Sequence, residues 1–135
     1  MSGTSDRTVV IVEDVESCGS TLEIALGALA GVQIHVMYKS EEAWRYLQHD
    51  DGTHVCALVT DLHMPGMDGF ELIERVRANS HYDRVPIVVI SGSADPQTPS
   101  LVAKLGANAF FAKPYSPLEV RAKLEQLLYG TQPHM

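Results

Sequence analysis

The amino-acid sequence predicts a single α/β domain in which five parallel strands alternate with five helices that cover both faces of one sheet. The first observation behind this prediction is that short apolar runs recur along the chain, and that the first and fourth are continuous in hydrophobicity, as in strands buried on both faces. The second is that a segment with helical spacing of its apolar residues follows each run. Regular alternation of this kind implies right-handed crossovers and a doubly wound (βα)5 architecture.

The predicted strands are the five apolar runs of the sequence. The second run contains Gln33 and His35 and is therefore predicted to lie at an edge of the sheet, where polar side chains are tolerated. The fourth run, which follows Pro86 directly, has the strongest character of a buried parallel strand. In chain order, the predicted strands comprise residues 8–12, 32–37, 55–60, 87–90 and 107–112.

The helix boundaries are predicted from capping residues and glycines. Asp68 followed by Glu71 matches a capping box, and a proline after Ser116 is typical of a first helical position. Gly31 and Gly106 are predicted to end the first and fourth helices. The residues predicted to cap or open the five helices are Ser17, Ser40, Asp68, Thr98 and Ser116.

Size and composition favour one folded domain without a membrane span. The chain has 135 residues, of which 45% are hydrophobic and 20% charged, and its net charge of -7 argues against general affinity for nucleic acid or anionic membranes. Cys18 and Cys56 lack metal or redox spacing and predict reduced, buried thiols in a cytoplasmic protein. Residues 1–6 and 130–135 are predicted to be polar tails, the first of them disordered, around a domain of residues 7–129.

Polar side chains follow four of the predicted strands. Glu13 and Asp14 come after the first strand, Asp61 after the third, Ser91 after the fourth and Lys113 after the fifth. We expect them to converge, because the carboxyl ends of parallel strands form the ligand-binding edge of an open α/β sheet. Clustered carboxylates repel one another and persist only beside a cation or with a raised pKa, and Mg²⁺ is a cation that suits oxygen ligands. A metal, a lysine and a hydroxyl together suit a phosphoryl group, with Asp61 as the nucleophile that forms an acyl phosphate.

These residues carry a resemblance to a known family. The motifs are the acidic pair Glu13-Asp14, the turn of residues 61–69 (DLHMPGMDG), Ser91 and the pair Lys113-Pro114. In this order and at these strand ends, the sequence resembles the receiver domain of two-component response regulators, of the chemotaxis-response-regulator type, over residues 7–129. The resemblance implies a flavodoxin-like fold with the strand order 2-1-3-4-5.

The resemblance also implies a role for each site residue. Asp61 would be the phosphoacceptor, receiving its phosphoryl group from a phosphohistidine on a sensor histidine kinase or a histidine phosphotransfer protein. Mg²⁺ would be held by the carboxylates of Asp14 and Asp61 and by the His63 backbone carbonyl, with Glu13 acting through water. The domain would catalyse only its own phosphorylation and dephosphorylation.

The resemblance also implies a conformational switch that responds to phosphorylation. Ser91 would donate to one phosphoryl oxygen and Lys113 would pair with another, while a cis Lys113-Pro114 bond would orient the lysine. Phe110 would rotate inward, changing a protein-binding face formed by the fourth helix, fifth strand and fifth helix. The domain would act as a monomer or a weak phosphorylation-dependent dimer, with a downstream protein target and without direct binding to nucleic acid or membrane.

Two other functions are possible for such a site, and each requires a sequence feature that can be compared with this chain. An aspartate-nucleophile phosphatase of the haloacid-dehalogenase type expects a second aspartate where this chain has His63, and would turn over small phosphate esters. A flavodoxin-like cofactor-binding module expects a hydroxyl-rich phosphate loop after the first strand, where Glu13 and Asp14 would repel a phosphate. Whether the chain is a single-domain regulator or one piece of a longer protein is open from the sequence.

Overall fold

In the computed structural model, which describes residues 7–130, five strands alternate with five helices. The strands are β1 (Arg7–Val12), β2 (Val32–Met37), β3 (Val55–Asp61), β4 (Ile87–Ser91) and β5 (Ala109–Ala112). The helices are α1 (Glu16–Leu26), α2 (Ser40–Asp50), α3 (Gly69–Ala78), α4 (Thr98–Leu105) and α5 (Pro117–Tyr129). All four strand pairings are parallel and give one sheet of order β2-β1-β3-β4-β5, which confirms the predicted fold. The predicted tail of residues 1–6, and residues 131–135 of the second tail, lie outside the described part.

Along a central strand, successive residues face two separate cores, which explains the continuous hydrophobicity of the first and fourth runs. Along β1, Val10 and Val12 pack on the face covered by α2, α3 and α4, whereas Val9 and Ile11 pack on the face covered by α1 and α5. Successive side chains of a strand point to opposite faces, so a strand between two helical layers needs apolar residues at every position. β2 alternates between half-buried and exposed residues at the sheet edge, as predicted.

The first helix begins and ends earlier than predicted. Ser17 lies inside α1 and does not cap it, because the helix already begins at Glu16. Val15, the residue before the helix, donates its N–H to the side chain of Glu13 at 3.1 Å. The β1–α1 turn is therefore organised by a carboxylate of the site. At the other end the helix stops at Leu26, and Gly31 forms the later turn into β2 with a φ of 75°.

Three of the other helix starts follow the predictions closely. The side chain of Asp68 accepts the Glu71 N–H at 2.9 Å, and that of Ser116 accepts the Glu119 N–H at 3.4 Å. Ser40 opens α2, although its buried hydroxyl has no hydrogen-bond partner within residues 7–130.

The fourth helix begins one residue earlier than predicted. Thr98 is its first residue and not its cap, and the Thr98 hydroxyl lies 3.2 Å from the hydroxyl of Ser93. The Thr98 side chain is buried, and the residue at the cap position, Gln97, makes no capping hydrogen bond with its side chain. Gly106 ends α4 as predicted, with a φ of 114° that favours glycine.

A buried tyrosine ties the α2–β3 connection to the loop after α3. Tyr82 is 1% exposed, and its hydroxyl donates to the Leu47 carbonyl at 2.6 Å and accepts from the Gly52 N–H at 2.9 Å. Replacing Tyr82 with phenylalanine is expected to lower the free energy of unfolding by about 1–2 kcal/mol, because the contacts of its hydroxyl with Leu47, Asp50 and Gly52 are lost while the ring is kept. Urea denaturation measures this change. Tyr46→Phe is the matched control, since no hydrogen bond of its hydroxyl is found within residues 7–130, and an equal loss in both variants would contradict the account.

None of the helices within residues 7–130 combines the length and the apolar character that crossing a bilayer requires.

Candidate functional site

Three carboxylates meet at the carboxyl edge of the sheet. Glu13 and Asp14 directly follow β1, and Asp61 is the last residue of the neighbouring strand β3. One ligand oxygen from each of the three lies within 4.8 Å of the others. The parallel register of β1 and β3, in which Val12 pairs with Thr60, brings the two strand ends level and so produces this cluster.

Asp61 is held in one orientation by donors on both of its oxygens. Its Oδ1 accepts from the Leu62 N–H at 2.6 Å and from the His63 N–H at 3.3 Å. Its Oδ2 accepts from the Lys113 ammonium at 2.7 Å. The side chain is 7% exposed. Asp61 is therefore a preoriented and largely buried carboxylate.

Glu13 is a fully buried carboxylate with a direct protein partner on each oxygen. Its Oε1 accepts from Lys113 at 2.8 Å, and its Oε2 accepts from the Val15 N–H at 3.1 Å. Burial raises the pKa of Glu13, and the hydrogen bonds from Lys113 and Val15 offset only part of that rise. The extra methylene relative to an aspartate gives this side chain the reach to contact the lysine directly.

Lys113 bridges the two carboxylates from the end of β5. Burial by itself lowers the pKa of the ammonium, but the hydrogen bonds that it donates to Asp61 and Glu13 outweigh burial and raise its pKa above the usual value. The ammonium is therefore charged at neutral pH. The Lys113-Pro114 peptide bond is cis, as predicted.

Ser91 closes β4 beside the cluster but does not join it directly. Its buried hydroxyl accepts the Ser93 N–H at 3.1 Å, and its backbone carbonyl accepts the Lys113 N–H at 2.7 Å. The hydroxyl proton is not used by the Ser93 contact. The convergence predicted from the sequence is thus observed for the carboxylates and the lysine, with the serine hydroxyl turned toward its own loop.

His63 and Phe110 lie at the margins of the site. The exposed His63 ring meets the edge of Phe70 with 6.3 Å between ring centroids. Phe110 is half-buried in β5 opposite Val89 and packs against the core on the α2, α3 and α4 side. The predicted thiols, Cys18 and Cys56, are free, but both are half-buried rather than fully buried.

The donor set at this edge fits a hard divalent cation. Carboxylate oxygens are the ligands Mg²⁺ takes from proteins, usually one or two of them, together with water and phosphate. Asp14 is exposed and presents its carboxylate to solvent, while Asp61 offers oxygens at the floor of the same cluster. The cluster also contains its own cation in Lys113, so the three acidic groups are partly neutralised before any ion binds.

Comparison with known proteins identifies this arrangement. The family profile described as the response regulator receiver domain matches residues 9–125. The chain belongs to the response regulator receiver domain family. A receiver domain is the module of two-component signalling that carries a phosphorylation site, and the cluster of Glu13, Asp14 and Asp61 fits such a site.

Several relatives of this receiver domain are chemotaxis response regulators. Chemotaxis protein CheY1 of Helicobacter pylori is 28% identical over 120 residues, which are 89% of this chain and 95% of the relative. Response regulator GtcR of Aneurinibacillus migulanus is 30% identical over 122 residues. This match covers 90% of this chain but only 48% of the length of GtcR. A high-resolution structure of the chemotaxis response regulator CheY4 of Vibrio cholerae matches with a TM-score of 0.79 at 25% identity, covering 90% of this chain and 98% of that one.

One contact beside the site of this receiver domain has no signal in the sequence. The Glu41 carboxylate, in the first turn of α2, accepts the Met67 N–H of the β3–α3 loop at 3.0 Å. In the sequence Glu41 is only one of two acidic residues at a helix start, where the helix dipole favours negative charge. A polar contact between residues this far apart follows from the packing of two elements, which residue patterns do not specify.

Proposed function

We propose that Asp61 is the residue on which this receiver domain accepts a phosphoryl group from a phosphohistidine of a sensor histidine kinase or a histidine phosphotransfer protein. The observation that carries this proposal is the preoriented Asp61 carboxylate, held against Lys113 within a cluster of three acidic side chains. A carboxylate placed in this way is a nucleophile suited to forming an acyl phosphate. The domain thereby catalyses its own phosphorylation and, by admitting water, its own dephosphorylation.

The transfer exchanges one bond to phosphorus for another. An Asp61 oxygen forms the new P–O bond as the P–N bond to the donor imidazole breaks, and the electron pair of that bond stays with the imidazole nitrogen. Lys113, freed from part of its contact with Asp61, pairs with an equatorial oxygen of the transferred group. Before the step, the contacts of Lys113 with Asp61 and Glu13 raise its pKa, so it meets the incoming group as a cation.

The acidic cluster supports a role for Mg²⁺ in this transfer. Asp14 and Asp61 would hold the ion with their carboxylates and His63 with its backbone carbonyl, while Glu13 would act through water. When bound, the ion supplies positive charge against the phosphoryl oxygens. Glu13 also accepts a hydrogen bond directly from Lys113, and in this second role it keeps the lysine beside Asp61.

The proposed switch uses the hydroxyl of Ser91 and the ring of Phe110. Phosphorylation adds three acceptor oxygens and about -1.5 to -2 of charge at Asp61. The Ser91 hydroxyl accepts from Ser93 and keeps its own proton for donation to one of those oxygens. Its movement would open space at the end of β4, which the half-buried Phe110 would fill. The face of α4, β5 and α5 would then differ between the two states and be read by a downstream protein partner in the cytoplasm.

Phosphorylation by a small donor tests the proposed function without the cognate kinase. Incubation with acetyl phosphate and MgCl2 is expected to add one phosphate to most of the protein, as measured by intact mass spectrometry. Chelation of Mg²⁺ by excess EDTA is expected to abolish the addition, because the acidic cluster then repels the donor. Phosphorylation that proceeds equally in EDTA would contradict the role of the metal, and steady turnover of a phosphate ester would favour a phosphatase instead.

A further inference from the structure

The loop that follows Asp61 is held from outside by one side chain of α2. Glu41 Oε2 accepts the Met67 N–H at 3.0 Å, and a Cβ placed on Gly66 would come within 2.2 Å of the same oxygen. Gly66 adopts a φ of 81°. The carboxylate therefore fits closely against the tip of the loop, at a position that a side chain on residue 66 would block.

The rest of the loop, residues 62–68, shows why such a contact is needed. On the inner side Met64 and Met67 are buried in the core. On the outer side Pro65 and Gly66 are exposed and line a cleft of about 660 Å³ that Glu41 also lines. On the cleft side, the Glu41–Met67 hydrogen bond links a side chain of α2 to the backbone of the loop tip.

The two ends of this loop are already fixed. Near its start the Leu62 and His63 N–H groups donate to Asp61, and at its end the Gly69 N–H donates to the Leu62 carbonyl at 2.8 Å. Because the base is closed, a shift of the tip at Met67 is taken up by the backbone between base and tip, which includes the peptide unit that carries the His63 carbonyl.

We propose that Glu41 is a positioning residue that sets the Mg²⁺ affinity of the site by holding the β3–α3 loop, and with it the His63 carbonyl, in the binding conformation. This inference rests on the proposed function, since it takes the His63 carbonyl to be a metal ligand. Glu41 itself touches neither the metal nor the phosphoryl group. Its effect is on the fraction of molecules whose loop is ready to bind, and the apparent dissociation constant rises as that fraction falls.

The charge of Glu41 is consistent with this role. The Met67 N–H is the largest cause that lowers the pKa of the Glu41 carboxyl, so the group is ionised at neutral pH. Its position in the first turn of α2 also favours a negative charge. A charged acceptor makes a stronger hydrogen bond to a backbone N–H than a neutral one.

Three substitutions of Glu41 separate the effect of side-chain length from the effect of side-chain charge. Glu41→Ala removes the acceptor, Glu41→Asp keeps the charge but shortens the side chain by one methylene, and Glu41→Gln keeps the length and an acceptor oxygen without the charge. Glu42→Ala is the matched control, since Glu42 is the exposed neighbour in the same helical turn. Thermal unfolding confirms that each variant is folded.

The Mg²⁺ dissociation constant, measured by isothermal titration calorimetry, is expected to rise about 5-fold in Glu41→Ala and Glu41→Asp and less than about 2-fold in Glu41→Gln. Amide hydrogen exchange at Met67, measured by NMR, is expected to accelerate by a similar factor in the first two variants only. At saturating Mg²⁺ the rate of phosphorylation by acetyl phosphate is expected to match that of the wild type, because the reacting groups are unchanged. Glu42→Ala is expected to change none of the three.

Two results would overturn the proposal. The first is a Mg²⁺ affinity in Glu41→Ala equal to that in Glu42→Ala. The second is an equal loss in Glu41→Gln and Glu41→Ala while Met67 exchange in Glu41→Gln stays at the wild-type rate, which would attribute the effect to charge near the metal instead of to the loop. Failure of the proposed function is seen separately, as a wild-type protein that is not phosphorylated in the presence of Mg²⁺, while Met67 exchange still reports whether Glu41 holds the loop.

Discussion

Replacing Asp61 with asparagine is expected to abolish phosphorylation by acetyl phosphate. The asparagine side chain has nearly the same shape, and its amide oxygen can still accept the Leu62 N–H, so the turn after β3 is preserved. The amide oxygen is, however, a far weaker nucleophile than a carboxylate, and no acyl phosphate forms. Intact mass spectrometry after incubation with acetyl phosphate and MgCl2 is expected to show the unmodified mass alone.

Asp14→Asn is the matched control for this loss. Asp14 belongs to the same acidic cluster but is exposed, and its proposed role is to hold the metal and not to react. Its variant is expected to be phosphorylated at raised Mg²⁺ concentration, whereas the Asp61 variant is not rescued by any amount of Mg²⁺. Phosphate incorporation into Asp61→Asn at a rate near that of the wild type would place the acceptor elsewhere.

Replacing Lys113 with methionine is expected to destabilise the fold as well as impair phosphorylation. The ammonium neutralises Glu13, which is fully buried, and Asp61, which is nearly so. Methionine fills a similar volume but leaves two buried carboxylates without a cation. Removing one partner of a buried pair costs about 3–5 kcal/mol, and because Lys113 is itself 23% exposed we expect about 2 kcal/mol at pH 7, measured by urea denaturation in EDTA.

This destabilisation is expected to depend on pH in a defined direction. Burial raises the pKa of Glu13 above its ordinary value of 4.5, and loss of Lys113 raises it further. A carboxyl whose pKa is higher in the folded state binds more protons there, so its contribution to stability is present at low pH and lost as the pH rises through the raised pKa. The deficit of Lys113→Met relative to the wild type is therefore expected to be smaller at pH 5 than at pH 8.

The second substitution Glu13→Gln separates this cause from general damage. In the double variant the buried charge is gone, and part of the lost stability is expected to return. A deficit that is the same at both pH values, and is unchanged by Glu13→Gln, would show that Lys113 contributes through packing alone.

The site was predictable because parallel strands bring distant residues to one edge. Asp61 and Lys113 are far apart in the sequence, yet both follow apolar runs, and parallel pairing places the ends of such runs together. The fold was predictable for a related reason, since the alternating faces of β1 each meet a helical layer and so demand apolar residues at every position.

Side-chain contacts and helix boundaries were less predictable. The bond between Glu13 and Lys113 depends on the length of one side chain, and the bond between Glu41 and Met67 depends on how α2 packs beside a loop. Ser17 and Thr98 have good intrinsic capping character, but the Glu13 carboxylate at the first turn and the Ser93 hydroxyl near the second determine the local arrangement. Such competition between neighbouring polar groups is decided in three dimensions.

Locating the phosphoryl group on the chain tests the central claim most directly. After phosphorylation in MgCl2, sodium borohydride reduces an aspartyl phosphate to homoserine, and peptide mass spectrometry then identifies the reduced position. We expect homoserine at position 61, and no such product when acetyl phosphate is omitted. Homoserine at position 14, or a phosphate that is carried by His63 and resists reduction, would contradict the assignment of Asp61 as the phosphoacceptor.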